Sequence, residues 1–339
     1  MDRLSLPKIA ELLEFVAMGA NQPLMIWGPA GVGKSGIVAQ LAAKHKAALV
    51  DVRLGQYDSV DLRGFPSVDA QTNTTTWHPP STLPFVSNPA FTDKGRTLLF
   101  LDEMNAASPA VAGVAYQLIH ERRVGEHALR PNVRIVAAGN RDTDKGVTNR
   151  MPAPLANRMV HVEAEADVDA FCFWAQGEGL TPIGLAFLQF RRDLLTTFDP
   201  ASTAKEFASP RTWEMALRFF DMPMPEDLKH AAIAGSVGNG PATELFAFKD
   251  YWHKVTPIKD ILKDPTGVKT PEEAAMQYAT AVQVSGHMSV ATAAKLHLYL
   301  KRMSPELQYL SWRLAVKRDG KLIQTDAFTE VAQRIKAVW

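Results

Sequence analysis

Apolar residues in the first half of the chain come in short runs: "PLMIWG" at 23–28, "ALVDVRL" at 48–54, "TLLFLDEM" at 97–104, "VRIVAAGN" at 133–140 and "RMVHVEAE" at 158–165. None alternates cleanly between apolar and polar positions, so each reads as a strand buried on both faces. Helical spacing fills the intervals. Residues 7–20 predict an opening helix with Pro7 in its first turn, and a second helix follows the first strand. Strands alternating with helices predict a parallel sheet covered by helices. Between the second and third strands lies "GFPSVDAQTNTTTWHPPSTLPF", too rich in Gly, Pro and Thr to be core. It predicts surface loops or a hairpin inserted in the α/β unit. Within it, Trp77 and His78 read as the aromatic anchor of a hairpin in preference to a substrate-gripping tip, because packed aromatics outnumber functional ones in loops.

After about residue 166 the strand signal stops. "DVDAFCFWAQGEG", "IGLAFLQFRRDLL", "PRTWEMALRFFD", "PEDLKHAAIAGSVG" and most of 271–316 and 325–338 carry helical patterns. Pro and Gly cluster at 238–241 and 264–271, the expected joints between subdomains. The stripe Leu296, Leu298, Leu300, Met303 and Leu307 reads as helix-packing core.

With 339 residues, 46% hydrophobic and 22% charged, the chain fits a soluble globular protein of more than one domain. Its net charge of +1 supplies no global field toward nucleic acid or an anionic membrane. Cys172 is the single cysteine, which excludes an internal disulfide and a cysteine zinc cluster; its neighbours "DAFCFWAQ" place it in a core. The nine histidines show no HExxH spacing, so no zinc site is expected. No apolar run is long enough to span a bilayer, and "MDRLSLPKIAELLEFVAMG" lacks the continuous apolar core of a secretory signal. The expectation is a cytoplasmic protein with no membrane insertion.

The chemistry begins at Gly28-Pro29-Ala30-Gly31-Val32-Gly33-Lys34-Ser35, which fits GxxxxGK[ST] in full between a strand and a helix. Glycines there let backbone N–H groups turn inward around a phosphate, and the helix N-terminus adds its positive dipole end. Lys34 would reach the β- and γ-phosphates, and the Ser35 hydroxyl would hold Mg²⁺. A phosphate loop needs a carboxylate on a neighbouring strand end for the metal, and Asp102 closes such a strand. Glu103 beside it is the natural base or orienter for an attacking water. Asn140 ends a further buried strand, where its amide could orient that water. Each has a plainer reading, as acids closing a strand or an Asn making a turn; their order along the chain favours function. A GTPase would need an NKxD motif, which is absent, and Asp61-Leu62-Arg63-Gly64 lies in the loop-rich insert instead of at a strong strand end. A small-molecule kinase has no need of Glu next to the metal-site Asp. The cofactors expected are therefore ATP and Mg²⁺, with water as the nucleophile.

Phosphate loop, Asp-Glu strand, "AAGN" strand and then "APLANRM" resemble an AAA+ ATPase. Within that superfamily "DSVDLRG", "TWHPPSTL", "LLFLDEMNAAS", "QLIHERRV" and "FASPRTWEMA" are similar to the MoxR and dynein-related branch, over about residues 20–220. The resemblance implies a ring-forming ATPase, usually hexameric, with nucleotide at the subunit interface. The chain divides on this reading into an α/β core over 1–165, a helical lid over 166–237 and a helical C-terminal extension over 238–339, the last outside the likeness. Arg158 matches the arginine finger that reaches a neighbour's γ-phosphate, and Arg211 matches the sensor on the lid; a planar guanidinium suits charge developing on phosphate oxygens. Three departures touch this network: Ala106 follows Asn105, Arg141 follows Asn140 and Met159 follows Arg158, where the branch usually has Arg, Pro and Phe. They leave Arg141 and Arg150 as alternative carriers of the finger's role. The implied partners are a protein client and a von Willebrand factor A (VWA) domain protein supplied in trans. A nucleic-acid motor and a slow, ATP-gated assembly protein are the rival readings, the first disfavoured by the near-neutral charge.

Overall fold

Alternate residues of one strand feed two separate cores, and that decides the architecture. In the strand Thr97–Asp102, Leu99 and Leu101 pack into one apolar cluster while Leu98 and Phe100 pack into another. The strand Val133–Gly139 divides the same way, Val133, Ile135 and Ala137 against Val136 and Ala138. A sheet apolar on both faces must be covered on both, at roughly 1.5–3 kcal/mol for each large side chain withdrawn from water.

The computed structural model describes residues 1–141, 144, 149 and 151–336. Its strands are β1 (Arg3–Ser5), β2 (Leu24–Trp27), β3 (Ala48–Arg53), β4 (Phe65–Asp69), β5 (Thr74–His78), β6 (Thr97–Asp102), β7 (Arg123–Val124), β8 (His127–Ala128), β9 (Val133–Gly139) and β10 (Val160–Glu165). Six of them form one parallel sheet in the order β1-β10-β2-β9-β6-β3. Helices α1 (Leu6–Leu13) and α2 (Lys34–Lys44) cover one face with Ile9, Leu13, Val38 and Leu41. Helices α3 (Ser59–Arg63) and α4 (Pro109–Glu121) cover the other with Leu62, Val111, Val114 and Leu118. A short helix α5 (Ala153–Ala156) precedes β10. The expected parallel sheet with helical cover is the observed one.

Several local expectations change. β1 is an added edge strand paired to β10; with one apolar residue in three, "RLS" gave it no hydrophobic signature. The opening helix is α1 continued by a π-helical turn, Glu14–Gly19. β3 lies at the opposite edge and buries only Val52 fully, so its apolar run is not buried on both faces. The insert forms the antiparallel hairpin β4-β5, exposed along its whole length. Trp77 is 37% exposed and so is not the buried anchor expected of it. Polar bonds hold the hairpin instead: His127 Nε2 lies 2.9 Å from the Trp77 carbonyl and His78 Nε2 lies 2.7 Å from Ser67 Oγ.

Contacts divide the chain into two units: Met1–Phe171 with Thr196–Lys205 and Ser209–Thr212, and the remainder. The remainder is helical, built on α6 (Val168–Gly177) from Cys172 onward, α7 (Pro182–Phe190), α8 (Pro210–Asp221) from Trp213 onward, α9 (Glu226–Val237), α10 (Asn239–Lys254), α11 (Ile258–Lys263), α12 (Ala274–His287), α13 (Ala293–Leu300), α14 (Pro305–Arg318) and α15 (Asp326–Lys336). Gly238 separates α9 from α10, and the Pro/Gly stretch near 264–271 separates α11 from α12. Trp312, Tyr299, Leu296 and Leu300 centre the core of its C-terminal part. Cys172 is buried, as its neighbours indicated. Leu298 departs from the expected stripe: it is 44% exposed, because α13 turns that face to water. Among the described residues no helix is long and apolar enough to cross a membrane.

Candidate functional site

Sheet order, not chain order, assembles the site. The strands run β2, β6, β9 in sequence, yet β9 lies between the other two in the sheet. Their carboxyl ends therefore present the phosphate loop after β2, Asn140 after β9 and Asp102 at the end of β6 side by side. This is the edge at which open α/β sheets bind ligands.

The loop turns on glycines in the left-handed region. Gly31 has φ +77° and Gly33 +112°; a Cβ on Gly31 would stand 2.6 Å from Ser209 Oγ, and one on Gly33 2.8 Å from Leu6 Cδ1. The positive φ strains any larger residue at both positions, and at Gly31 the Ser209 side chain would also have to give way. α2 starts at Lys34, directly behind this turn, so its unpaired N–H groups face the loop.

Lys34 is buried, and its ammonium donates to the carbonyls of Gly28 (2.7 Å) and Pro29 (3.0 Å) and to Asn140 Oδ1 (3.3 Å). Burial pushes its pKa down to about 8; the Asp102 and Asp144 carboxylates oppose that shift, and Arg211 and Arg141 add to it. A buried cation whose hydrogen bonds all go to neutral oxygens, at the N-terminus of a helix, fits a phosphate anion.

The Ser35 hydroxyl donates to Asp102 Oδ2 at 2.8 Å, which joins the start of α2 to the end of β6. A hydroxyl and a carboxylate oxygen in contact form the hard-oxygen donor pair that suits Mg²⁺. Ser35 and Asp102 would hold that ion, directly or through its waters. Glu103 follows in a left-handed backbone, φ +55°, with its N–H donating to the other Asp102 oxygen at 2.8 Å. Non-glycine residues occupy this region at a cost, and such strain concentrates at functional positions. The Glu103 carboxylate rests against Gly55, in the 3-10 turn after β3, where a Cβ would stand 2.8 Å from Oε2.

Asn105 emerges as a site residue that sequence reasoning did not select. Its Nδ2 donates to the Asn140 carbonyl at 2.7 Å, and its Oδ1 accepts from the Asn140 N–H at 3.1 Å. One buried side chain thereby satisfies both backbone groups of Asn140 and ties the end of β9 to the segment after β6. Gly139 leaves room for it; a Cβ there would lie 2.7 Å from Asn105 Oδ1. The carbonyl of Asn105 in turn accepts from the Asn149 N–H at 2.6 Å. The only sequence signal was an amide three residues after Asp102, indistinguishable from a turn residue without its partner.

The arginines differ in their partners. Arg141 grips Asp144 with Nε and Nη2, at 3.1 and 2.8 Å, and reaches Glu163 at 3.3 Å. The Asp144 hydrogen bond leads the causes that raise its pKa. Arg158 instead donates from Nε to His120 Nδ1 (2.8 Å) and from Nη1 to the Pro154 carbonyl (2.6 Å). Its guanidinium carbon lies 5.5 Å from the centre of the Tyr116 ring. Arg211, in the first turn of α8, donates its backbone N–H to the Gly31 carbonyl at 3.1 Å. It thus stands at the phosphate loop, together with Lys34, Ser35, Asp102 and Asn140. Arg158 is not part of that cluster, and Arg150 lies outside the described residues.

Residues 23–159 match the AAA domain, dynein-related subfamily. Among solved structures, NtrX from Brucella abortus in complex with ADP is similar at 14% identity and a TM-score of 0.39, over 98% of this chain and 67% of that one. The ATP complex of the same protein matches at 14% identity and 0.40, over 98% and 66%. A RuvB mutant from Thermotoga maritima matches at 13% identity and 0.38, over 83% and 89%. No curated protein matches the sequence.

Proposed function

From a dynein-related AAA domain over residues 23–159, we propose that this protein hydrolyses ATP as a ring, hexameric as in the MoxR-type enzymes it resembles, and uses the cycle to remodel a protein client recruited with a VWA-domain partner. The observation that carries the hydrolytic part is the Ser35–Asp102 contact at 2.8 Å, with Glu103 next in the chain and Asn140 bonded to Lys34. The residues read as metal donors, base and water-orienting amide lie on chain segments at the carboxyl edge of one sheet.

Lys34 and the loop N–H groups hold the β- and γ-phosphates. Mg²⁺, held at Ser35 and Asp102, would supply charge neutralisation on the phosphate oxygens. Glu103 accepts a proton from a water that attacks the γ-phosphorus in line. The bond to the β–γ bridging oxygen breaks, and ADP and phosphate leave. Asn140 orients that water, and Arg211 faces the phosphates from the start of α8. Arg158 lies apart from this cluster, as a finger serving the neighbouring subunit would. The client and partner rest on the branch resemblance alone.

Two substitutions divide the roles. Glu103→Gln removes the proton acceptor and leaves Lys34 in place, so it retains ATP affinity and loses nearly all phosphate release. Lys34→Ala removes the buried cation and loses binding itself. Equal loss of ATP affinity in both variants refutes this division.

A further inference from the structure

Helix α4 begins beside one half of the chemistry and ends beneath the other. Its N-cap is Ser108, shortly after Glu103 and Asn105, and its last turn carries His120. Thirteen residues make it about 20 Å long. One face is locked into the sheet core by Val111, Val114, Ala115, Leu118 and Ile119. Tyr116 and His120, four apart and therefore neighbours on the helix surface, both meet Arg158. Their rings lie 5.5 Å apart, tilted by 49°.

The chemistry of this cradle matters more than its contacts. Arg141 is held by two carboxylates, which neutralise it. Arg158 is held by an imidazole nitrogen, a backbone carbonyl and a ring face. Arg158 Nε donates, so His120 Nδ1 serves as the acceptor through its ring lone pair. All three anchors fix the direction of the guanidinium and none cancels its charge. An arginine meant for a phosphate needs that combination, because a bound carboxylate would compete with the anion.

We propose that His120 and Tyr116 are positioning residues that hold Arg158 charged and aimed at a nucleotide bound by a second copy of this chain. Through α4 they fix the finger to the same rigid helix that follows Glu103. This rests on reading Arg158 as the finger that completes a neighbour's site.

The test compares phosphate release, ATP affinity and mixed-subunit activity of the full chain. His120 is exposed, so His120→Leu and His120→Asn should fold and show the wild-type unfolding temperature. Asn returns an acceptor oxygen near the Nδ1 position; Leu does not. A misaimed group costs on the order of 10²-fold for about 1 Å of error. His120→Leu should therefore lose roughly tenfold to a hundredfold in kcat with ATP affinity unchanged, and His120→Asn should recover most of it. Adding His120→Leu to Arg158→Ala should cost nothing further, because the first acts only through the second. Mixed with Glu103→Gln subunits under exchange demonstrated by labelling, His120→Leu should regain activity, as should Arg158→Ala, since each keeps an intact phosphate loop and Glu103. If Arg158→Ala is nearly inactive and rescued while His120→Leu turns over like wild type, the cradle is refuted and the finger reading stands. A His120→Leu defect that mixing leaves unrescued, beside a rescued Arg158→Ala, also refutes it. If Arg158→Ala keeps normal turnover or goes unrescued with exchange proven, the finger reading fails, and this proposal with it.

Discussion

Protonation of Lys34 sets a pH limit on nucleotide binding that can be worked from its surroundings. Burial among neutral oxygens brings its pKa down to about 8, well below the ordinary lysine value. Bound phosphate adds negative charge against the ammonium and returns the pKa upward. The charged form is the one that binds. Below about pH 7 nearly every molecule carries it, and affinity should be flat. Above about 8 the free site is mostly neutral, and binding must take up a proton at a cost of about 1.4 kcal/mol per pH unit. Affinity at pH 9 should be about tenfold below that at pH 7, falling further until the pKa of the bound state is reached. Calorimetric titration of Glu103→Gln with Mg²⁺-ATP from pH 6.5 to 9.5, in buffers of different ionisation enthalpy, reads both affinity and proton uptake. The terminal phosphate titrates near pH 6, below the window in which the fall occurs. Uptake should be near half a proton at pH 8 and near one at pH 9, about as the shifted pKa requires. A Lys34→Arg variant, charged throughout, should show a flat profile. Wild-type affinity that stays constant from pH 7 to 9.5 without proton uptake refutes the reasoning.

The same shift acts on stability with the opposite tendency. A lysine whose pKa is depressed in the folded state penalises folding below about pH 8, and the penalty vanishes above the ordinary value of 10.5. The gap corresponds to about 3 kcal/mol at most. Lys34→Met without nucleotide should therefore unfold at pH 7 no lower in temperature than wild type, despite three lost hydrogen bonds; a drop of many degrees contradicts this. Asn105→Ala leaves the N–H and carbonyl of Asn140 unpaired, which should cost about 1–3 kcal/mol by denaturant unfolding and lower kcat with ATP affinity retained. Asn105→Asp keeps the acceptor but sets an oxygen against the Asn140 carbonyl, so it should not restore kcat; full restoration removes the clamp from the account.

The phosphate loop, the Asp-Glu pair and Asn140 could be read from the chain because each is a contiguous signal at the end of an apolar run. Their meeting could not, since it depends on β9 entering the sheet between β2 and β6. Asn105 escaped notice for the same reason: its bonds go to the backbone of a residue far along the chain, and a side chain that pairs with backbone leaves no partner residue type to recognise. β1 escaped because three residues with a single apolar one carry no hydrophobic pattern. Trp77 and Leu298 were read as buried from residue type and spacing, yet both keep much of their surface in water, which composition does not determine. Motif position favours Arg158 over Arg141 as the finger, and residue type alone does not divide them. Their partners, an imidazole, a carbonyl and a ring face for one and two carboxylates for the other, add a difference of local charge that the chain does not spell out.

The central claim is that ATP is hydrolysed at a site one subunit cannot complete. Specific phosphate-release activity of the wild-type chain with Mg²⁺-ATP, followed as protein concentration rises from nanomolar to tens of micromolar alongside its sedimentation, tests it most directly. The account predicts negligible turnover while the protein sediments as a monomer, a rise in activity per subunit as ATP-bound assemblies form, and loss of activity in EDTA. Full activity per subunit from a species that remains monomeric throughout would contradict it.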